Sequence, residues 1–333
     1  MLDLVPVPSG ATPGEAIARS VELARLAERL GYRRYWVAEH HNMPGVASST
    51  PAVMVAHLAA ATSTIRVGAG GVMLPNHAAL AVAETWGLLA TMHPGRIDLG
   101  IGRAPGTDPA TARALRRVPE HTAGGGDPFA EQLGELLAFL HGSWPDDHPY
   151  RRIRAVPAAD VPPSIWLLGS STYGAQMAGM LGLPFSFAHH FSPAYTLPAA
   201  ELYRSTFRPS AALDEPHLAI GVAVLAADTD EEARHLHGST RLSMLRLRTG
   251  RPGLLPSPEE AAAYPFTADE LRAVEAFCGS HVVGSPATVR AGLDELVERT
   301  GADELVVTTS AWSHEARLRS YELVAEALAP TPA

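Results

Sequence analysis

Short β-branched and aromatic runs alternate with longer Ala/Leu-rich stretches of helical period along almost the whole 333-residue chain. LDLVPV (2–7), YRRYWVAEH (32–40) and IRVGAGGVML (65–74) precede helix-patterned stretches at 14–30, 52–62 and 79–92. RIDLGIGRA (96–104) leads into a looser, Arg- and Gly-rich region. SIWLLGSS (164–171), PFSFAHHF (184–191), LAIGVAVLAA (218–227) and DELVVTT (303–309) are followed by helical patterns at 173–182, 194–206, 230–245 and 314–328. Eight strand–helix units with short turns predict an α/β chain folded as a (β/α)8 TIM barrel rather than an open doubly wound sheet. The rhythm breaks at about 106–160, which holds GGG (124–126), and at about 246–300. Both segments read as insertions after barrel strands, on the side where barrels build active sites. No linker or low-complexity tail interrupts the pattern, which predicts a single domain over 1–333.

Composition narrows the function classes. The chain is 46% hydrophobic and 18% charged, with a formal net charge of −9 and arginine but no lysine. That balance argues against a nucleic-acid or anionic-membrane surface, while leaving room for an arginine pocket around one phosphate. A single cysteine, Cys278, excludes an intrachain disulfide and a cysteine-based metal site, and its apolar neighbours predict a buried structural thiol. The chain opens on MLDLVPVP with no signal-like segment and contains no 18-residue apolar run, so a soluble, cytoplasmic protein is expected.

Four stretches carry candidate chemistry. In YWVAEHHNMP (35–44) a buried-looking run ends in Glu39, His40 and His41. Neighbouring side chains on an extended segment face opposite sides, so the two histidines are poor partners for one metal, and no HExxH pattern is present. Adjacent glycines in GAGGVMLP (68–75) mark a bulge, tight packing or a close approach by a ligand. GIGRAPG (100–106) superficially resembles a dinucleotide fingerprint, but Pro105 follows where a smooth helix should begin. It offers Arg103 and, downstream, Arg113 as phosphate forks. LLGSSTYGAQM (167–177) places Ser170 and Ser171 at a helix start, either as ordinary caps or as an anion cradle.

In these stretches the sequence resembles the bacterial luciferase-like flavin monooxygenases. EHH, VGAGGVMLPNH, HPGRIDLGIGRAPG and LGSS…LGLPFSFAHHF follow one another in the family's order over nearly the whole chain. The resemblance implies a (β/α)8 barrel with FMN across its C-terminal mouth. It places His40 on the catalytic histidine and Gly70–Gly71 on a small pair joined by a non-prolyl cis peptide behind the flavin ring. Arg103 and Arg113 fall on phosphate-binding arginines. Ser170 and Ser171 fall in the phosphate loop, where a threonine of luciferase is replaced by Gly174. The family's reactive cysteine has no counterpart, so light emission and long-chain aldehyde specificity are not carried over.

The resemblance further implies reduced flavin reacting with O2 to a C4a-peroxyflavin that oxygenates a small apolar organic substrate. His40 would be the acid/base, and His41, His189 and His190 possible substrate-side residues. Residues 106–126 and 246–280 would form a lid. A separate flavin reductase and a homodimer are the expected partners, with no metal, nucleic acid or membrane. Two alternatives stay open: a deazaflavin-dependent hydride-transfer enzyme on the same barrel, and a non-catalytic flavin-binding protein.

Overall fold

The computed structural model describes residues 1–115, 127–157 and 161–329. Its elements run β1 (Leu2–Asp3), α1 (Pro13–Arg29), β2 (Arg34–Val37), α2 (Pro51–Ala61), β3 (Arg66–Met73), α3 (Ala79–Met92) and β4 (Ile97–Gly102). Next come α4 (Pro109–Leu115), α5 (Pro128–His141), β5 (Ser164–Gly169), α6 (Thr172–Leu181), β6 (Phe185–Ala188), α7 (Thr196–Thr206) and β7 (Leu218–Ala226). The last part holds α8 (Asp230–Arg248), α9 (Pro258–Ala263), α10 (Ala268–Cys278), β8 (Val282–Gly284), α11 (Pro286–Thr300), β9 (Glu304–Thr308) and α12 (His314–Leu328). Local sequence sets many of the boundaries. Thr12 and Glu15 form a reciprocal capping box on α1, with Pro13 in its first turn.

Strands β1 to β7 pair in parallel in chain order, β9 pairs with β7, and β9 lies beside β1. All eight predicted runs therefore become barrel strands. β8 is additional and extends only the end of β7, from Val224 to Ala226.

The helices correct the predicted insertions. α5, inside 106–160, packs beside α3 as a barrel helix, and α11, inside 246–300, packs between α7 and α12. α8, predicted as the helix after the seventh strand, packs instead on α9, α10 and β8. Its buried face explains this: α11 buries the stripe Val289, Leu293 and Leu296, whereas α8 buries His237 and Ser239 among its apolar residues. The GGG stretch at 124–126 lies outside the described residues.

The main core lies between sheet and helices, and a second, smaller one fills the barrel with Leu2, Trp36, Ala38, Trp166, Ala219 and Val306. Trp36 and Trp166 meet edge to face at 5.2 Å. Beneath them Arg34 lies 4.5 Å over the Trp166 ring and pairs with Asp98 at 2.5 Å and Glu304 at 2.6 Å. Buried Asp98 also accepts from the Trp36 indole at 3.0 Å and from Arg66 at 2.8 Å. Gly68 is required here, because a Cβ would stand 2.2 Å from the Asp98 carbonyl oxygen. Toward the strand C-termini the inner positions shrink to Gly70, Gly102, Ala188 and Gly221, which leaves space at the mouth.

Removing one member of a buried charge network strands the others. Asp98→Ala is expected to cost about 3–5 kcal/mol, read as a lowered denaturation midpoint, with Asp98→Asn costing less.

Candidate active site

A cavity of about 500 Å³ opens at the C-terminal ends of the strands, within the range typical of ligand pockets. Its floor is Leu2, Trp36, Leu168 and Val306, and its sides carry Met73, Phe129 and Phe191. His40, Gly70, Gly71, Arg103, Ser170, Ser171, Gly174 and His190 all face it. Eight residues singled out in the sequence, spread over 150 positions of chain, thus converge on one space.

His40 leaves the end of β2 with its backbone N–H on the Ser48 carbonyl. Its Nδ1 lies 3.3 Å from the Gly106 carbonyl oxygen, an acceptor only, so Nδ1 carries the proton and Nε2 keeps a lone pair. Burial holds its pKa below the usual 6.5, so the ring is neutral at pH 7. His190 is similar: Nδ1 donates to the Gly221 carbonyl at 2.9 Å, and burial lowers its pKa to about 4. Its buried Nε2 finds no partner among the described residues, while the residue lines the cavity.

The peptide between Gly70 and Gly71 is cis. A Cβ on Gly70 would press on Leu2 and Trp36, and one on Gly71 on Leu168 and the Gly100 carbonyl. Tight packing and closeness to the cavity therefore hold together at this pair. Opposite, Ser171 caps α6 without using its side chain, which leaves the first amides of the helix and two hydroxyls at the cavity wall. Arg103 stacks 4.1 Å over the Tyr173 ring, and the Tyr173 hydroxyl donates to Asp127. Cation, helix terminus and hydroxyls form one anion-favouring corner.

Three expected residues lie elsewhere. His41 turns from the cavity and bonds Glu39 through Nε2 at 2.9 Å, as strand alternation requires once His40 faces inward. His189 bonds the Thr196 hydroxyl at 2.8 Å at the start of α7. Arg113 is exposed on the short α4 and is not among the cavity-lining residues.

The sequence comparisons fall on the same ground. A profile of luciferase-like monooxygenases matches residues 1–304. The chain is 45% identical over 323 residues to a luciferase-like monooxygenase of Escherichia coli (strain K12), covering 97% of this chain and 94% of that one. It is 35% identical to the N-acetyl-S-alkylcysteine monooxygenase of Bacillus subtilis (strain 168), covering 98% and 97%. The solved structure of apo-MsnO8 superposes with a TM-score of 0.90 at 39% identity, covering 100% of this chain and 98% of that chain.

The chain belongs to the luciferase-like monooxygenase family.

At the level of fold alone, this luciferase-like monooxygenase is also similar to two cofactor complexes. One is the oxygenating constituent of 3,6-diketocamphane monooxygenase of Pseudomonas putida with FMN, at a TM-score of 0.72, 19% identity and coverage of 100% and 98%. The other is an F420-dependent secondary alcohol dehydrogenase, at 0.66, 14% identity and coverage of 96% and 96%.

Two features of the site escaped the sequence. The first is a smaller cavity of about 160 Å³ that shares His40 and Phe191 with the larger one. Leu4, Met43, Val46, Met244, Leu247 and Leu255 make it mostly apolar, with Thr240, Ser243 and Ser310 supplying hydroxyls. The second is the network around Glu39, which is fully buried. Its carboxylate accepts from the Met73 amide at 3.0 Å, from Asn76 at 3.3 Å, and bonds His77 and His41 at 2.9 Å. Burial alone would raise its pKa, but the hydrogen bonds from His77, His41 and Met73 outweigh it and bring it below the usual 4.5. The EHH string showed the carboxylate, but apart from His41 its partners lie 34 to 38 residues on.

A depressed carboxylate pKa stabilises the fold above its unfolded value, and that stabilisation is lost as pH falls through the folded one. Glu39→Gln is expected to cost about 2–4 kcal/mol at pH 7. The gap in melting temperature to the parent chain should close as the pH is taken below about 4.

Proposed function

We propose that the larger cavity binds reduced FMN, and that the enzyme uses O2 to oxygenate a small apolar organic molecule held in the smaller cavity. The observation that carries this reading is the wall shared by the two spaces. His40 stands between a cavity with an anion-favouring corner and an apolar one, within reach of whatever each holds. The residues fit a flavin. Ser170, Ser171, the first amides of α6 and Arg103 suit its phosphate. The glycine pair lets backbone approach a planar ring closely.

When bound, the reduced flavin supplies the electrons that activate O2. The protein's part is to hold the flavin, exclude water and move a proton. Trp36, Leu2, Leu168 and Val306 keep the floor dry. His40 takes a proton at Nε2 and returns it, with Nδ1 held on Gly106 throughout. The smaller cavity is about the size of the ~150 Å³ engineered space that admits benzene, and among the described residues its lining offers no cation to pair a carboxylate. It therefore suits a neutral, compact substrate. A separate reductase would deliver the reduced flavin.

Mixing the anaerobic protein–reduced FMN complex with oxygenated buffer should give a spectral intermediate that outlasts the oxidation of free flavin. Oxidation at the free-flavin rate, together with tight deazaflavin binding, would overturn the reading in favour of hydride transfer. Oxidised FMN bound tightly without turnover, and unchanged by His40→Gln, would mark a binding protein instead. In an active enzyme His40→Gln should lower turnover by about 10²–10⁴-fold. Because burial lowers the His40 pKa, the acidic limb of the parent profile should fall below pH 6.5.

Arg103→Ala should weaken FMN binding about tenfold and leave riboflavin binding unchanged, as fluorescence titration with the two ligands would record.

A further inference from the structure

Outside both cavities, three elements of the 246–300 region and its neighbour bring a soft donor set together. His237 projects from α8, Cys278 ends α10, and His281 lies just before β8. One donor atom from each lies within 4.8 Å of the others, and all three side chains are buried or half-buried. His237 Nε2 and His281 Nδ1 are 3.0 Å apart. In a tetrahedral zinc site two such nitrogens stand roughly 3.4 Å apart, so an ion would spread them by only a few tenths of an ångström. In the ion-free site one of these nitrogens donates a hydrogen bond to the other, and that proton moves to the far nitrogen of its own ring when an ion binds.

A further observation points to a ligand. A small space of about 30 Å³ lies against His237 and His281, lined also by Thr240 and Ser310, and has room for a water. A counting argument from one cysteine could not see this set, because two of its three donors are imidazoles. Arg241, one turn beyond His237, is offset by Glu275 at 3.8 Å, so its charge does not stand alone near the cluster.

We propose that His237, Cys278 and His281 bind one zinc ion, with a water in the adjoining space as fourth ligand. Binding replaces the S–H bond of Cys278 by a sulfur–zinc bond and releases that proton to solvent. The ion fastens α8, which lines the smaller cavity, to α10 and the approach to β8. The site is independent of the flavin assignment, and neither fails with the other.

The test uses the full chain, freed of metal by chelation and titrated with Co²⁺ as a coloured stand-in and then with Zn²⁺. One Co²⁺ per chain is expected, with the sulfur-to-cobalt charge-transfer absorption and the intense visible bands of four-coordination, all lost on adding stoichiometric Zn²⁺. Cys278→Ser should abolish the charge-transfer absorption, and His281→Asn should weaken binding by at least ~100-fold. X-ray absorption on the unaltered zinc-loaded protein should show one sulfur at about 2.3 Å and nitrogens at about 2.0–2.1 Å, which keeps the test sound if a variant fails to fold. A natively folded chain that binds no stoichiometric ion, or a metal shell without sulfur, would overturn the proposal.

Discussion

The candidate site hangs on one buried carboxylate. Glu39 lies at the end of β2, yet it holds the end of β3 through the Met73 amide and the following turn through Asn76 and His77. Asn76 passes the link on to β4's exit through the Pro105 carbonyl, and Gly106 accepts from the His41 amide and the His40 ring. Three strand exits are thus pinned to one another through a group that would be costly to bury unpaired. His40 owes its fixed ring and tautomer to that arrangement. It is a neighbour of the pin rather than part of it, which leaves Nε2 free for chemistry.

The barrel interior works by a gradient of side-chain size. Near the N-terminal ends the two tryptophans, Leu2 and the Arg34–Asp98–Glu304 network leave no room. Near the C-terminal ends glycine and alanine replace them, and the space appears. The glycines of β3 serve both layers. Gly68 yields to the Asp98 backbone, while Gly70 yields to Trp36 and opens onto the cavity above. The cavity floor is therefore the roof of the packed layer, and it inherits the rigidity of a close-packed interior.

The strands were legible because a barrel strand buried on both faces is a short, unmistakable apolar run. Helices were harder. The patterns of α5, α8 and α11 look alike in isolation, and which two join the outer ring depends on what each buried stripe meets. At the site, alternation along an extended segment separated His40, which faces the cavity, from His41, which turns to Glu39, whereas His189 and His190 sit in the turn after β6, where only His190 lines the cavity. Arginine chemistry alone could not separate Arg103, held over Tyr173 at the cavity, from Arg113 on α4, which is not among the cavity-lining residues. Apart from His41 beside Glu39, the partners of Glu39 and Asp98 were out of reach, because those contacts join segments about 30 or more residues apart in the chain.

The two cavities that meet at His40 are drawn from different parts of the chain. Strand ends build the larger one, whereas α8 and the loop at 252–255 supply much of the smaller one's lining. That loop is stitched to the segment after β1 by Leu255, whose amide donates to Val7 and whose carbonyl accepts from Ser9. Sequence drift between 240 and 254 can therefore reshape the apolar chamber while the barrel mouth stays as it is. A scaffold divided in this way can diversify the guests of one chamber without disturbing the other, and grafts that keep the Leu255 stitch are the natural units for redirecting it.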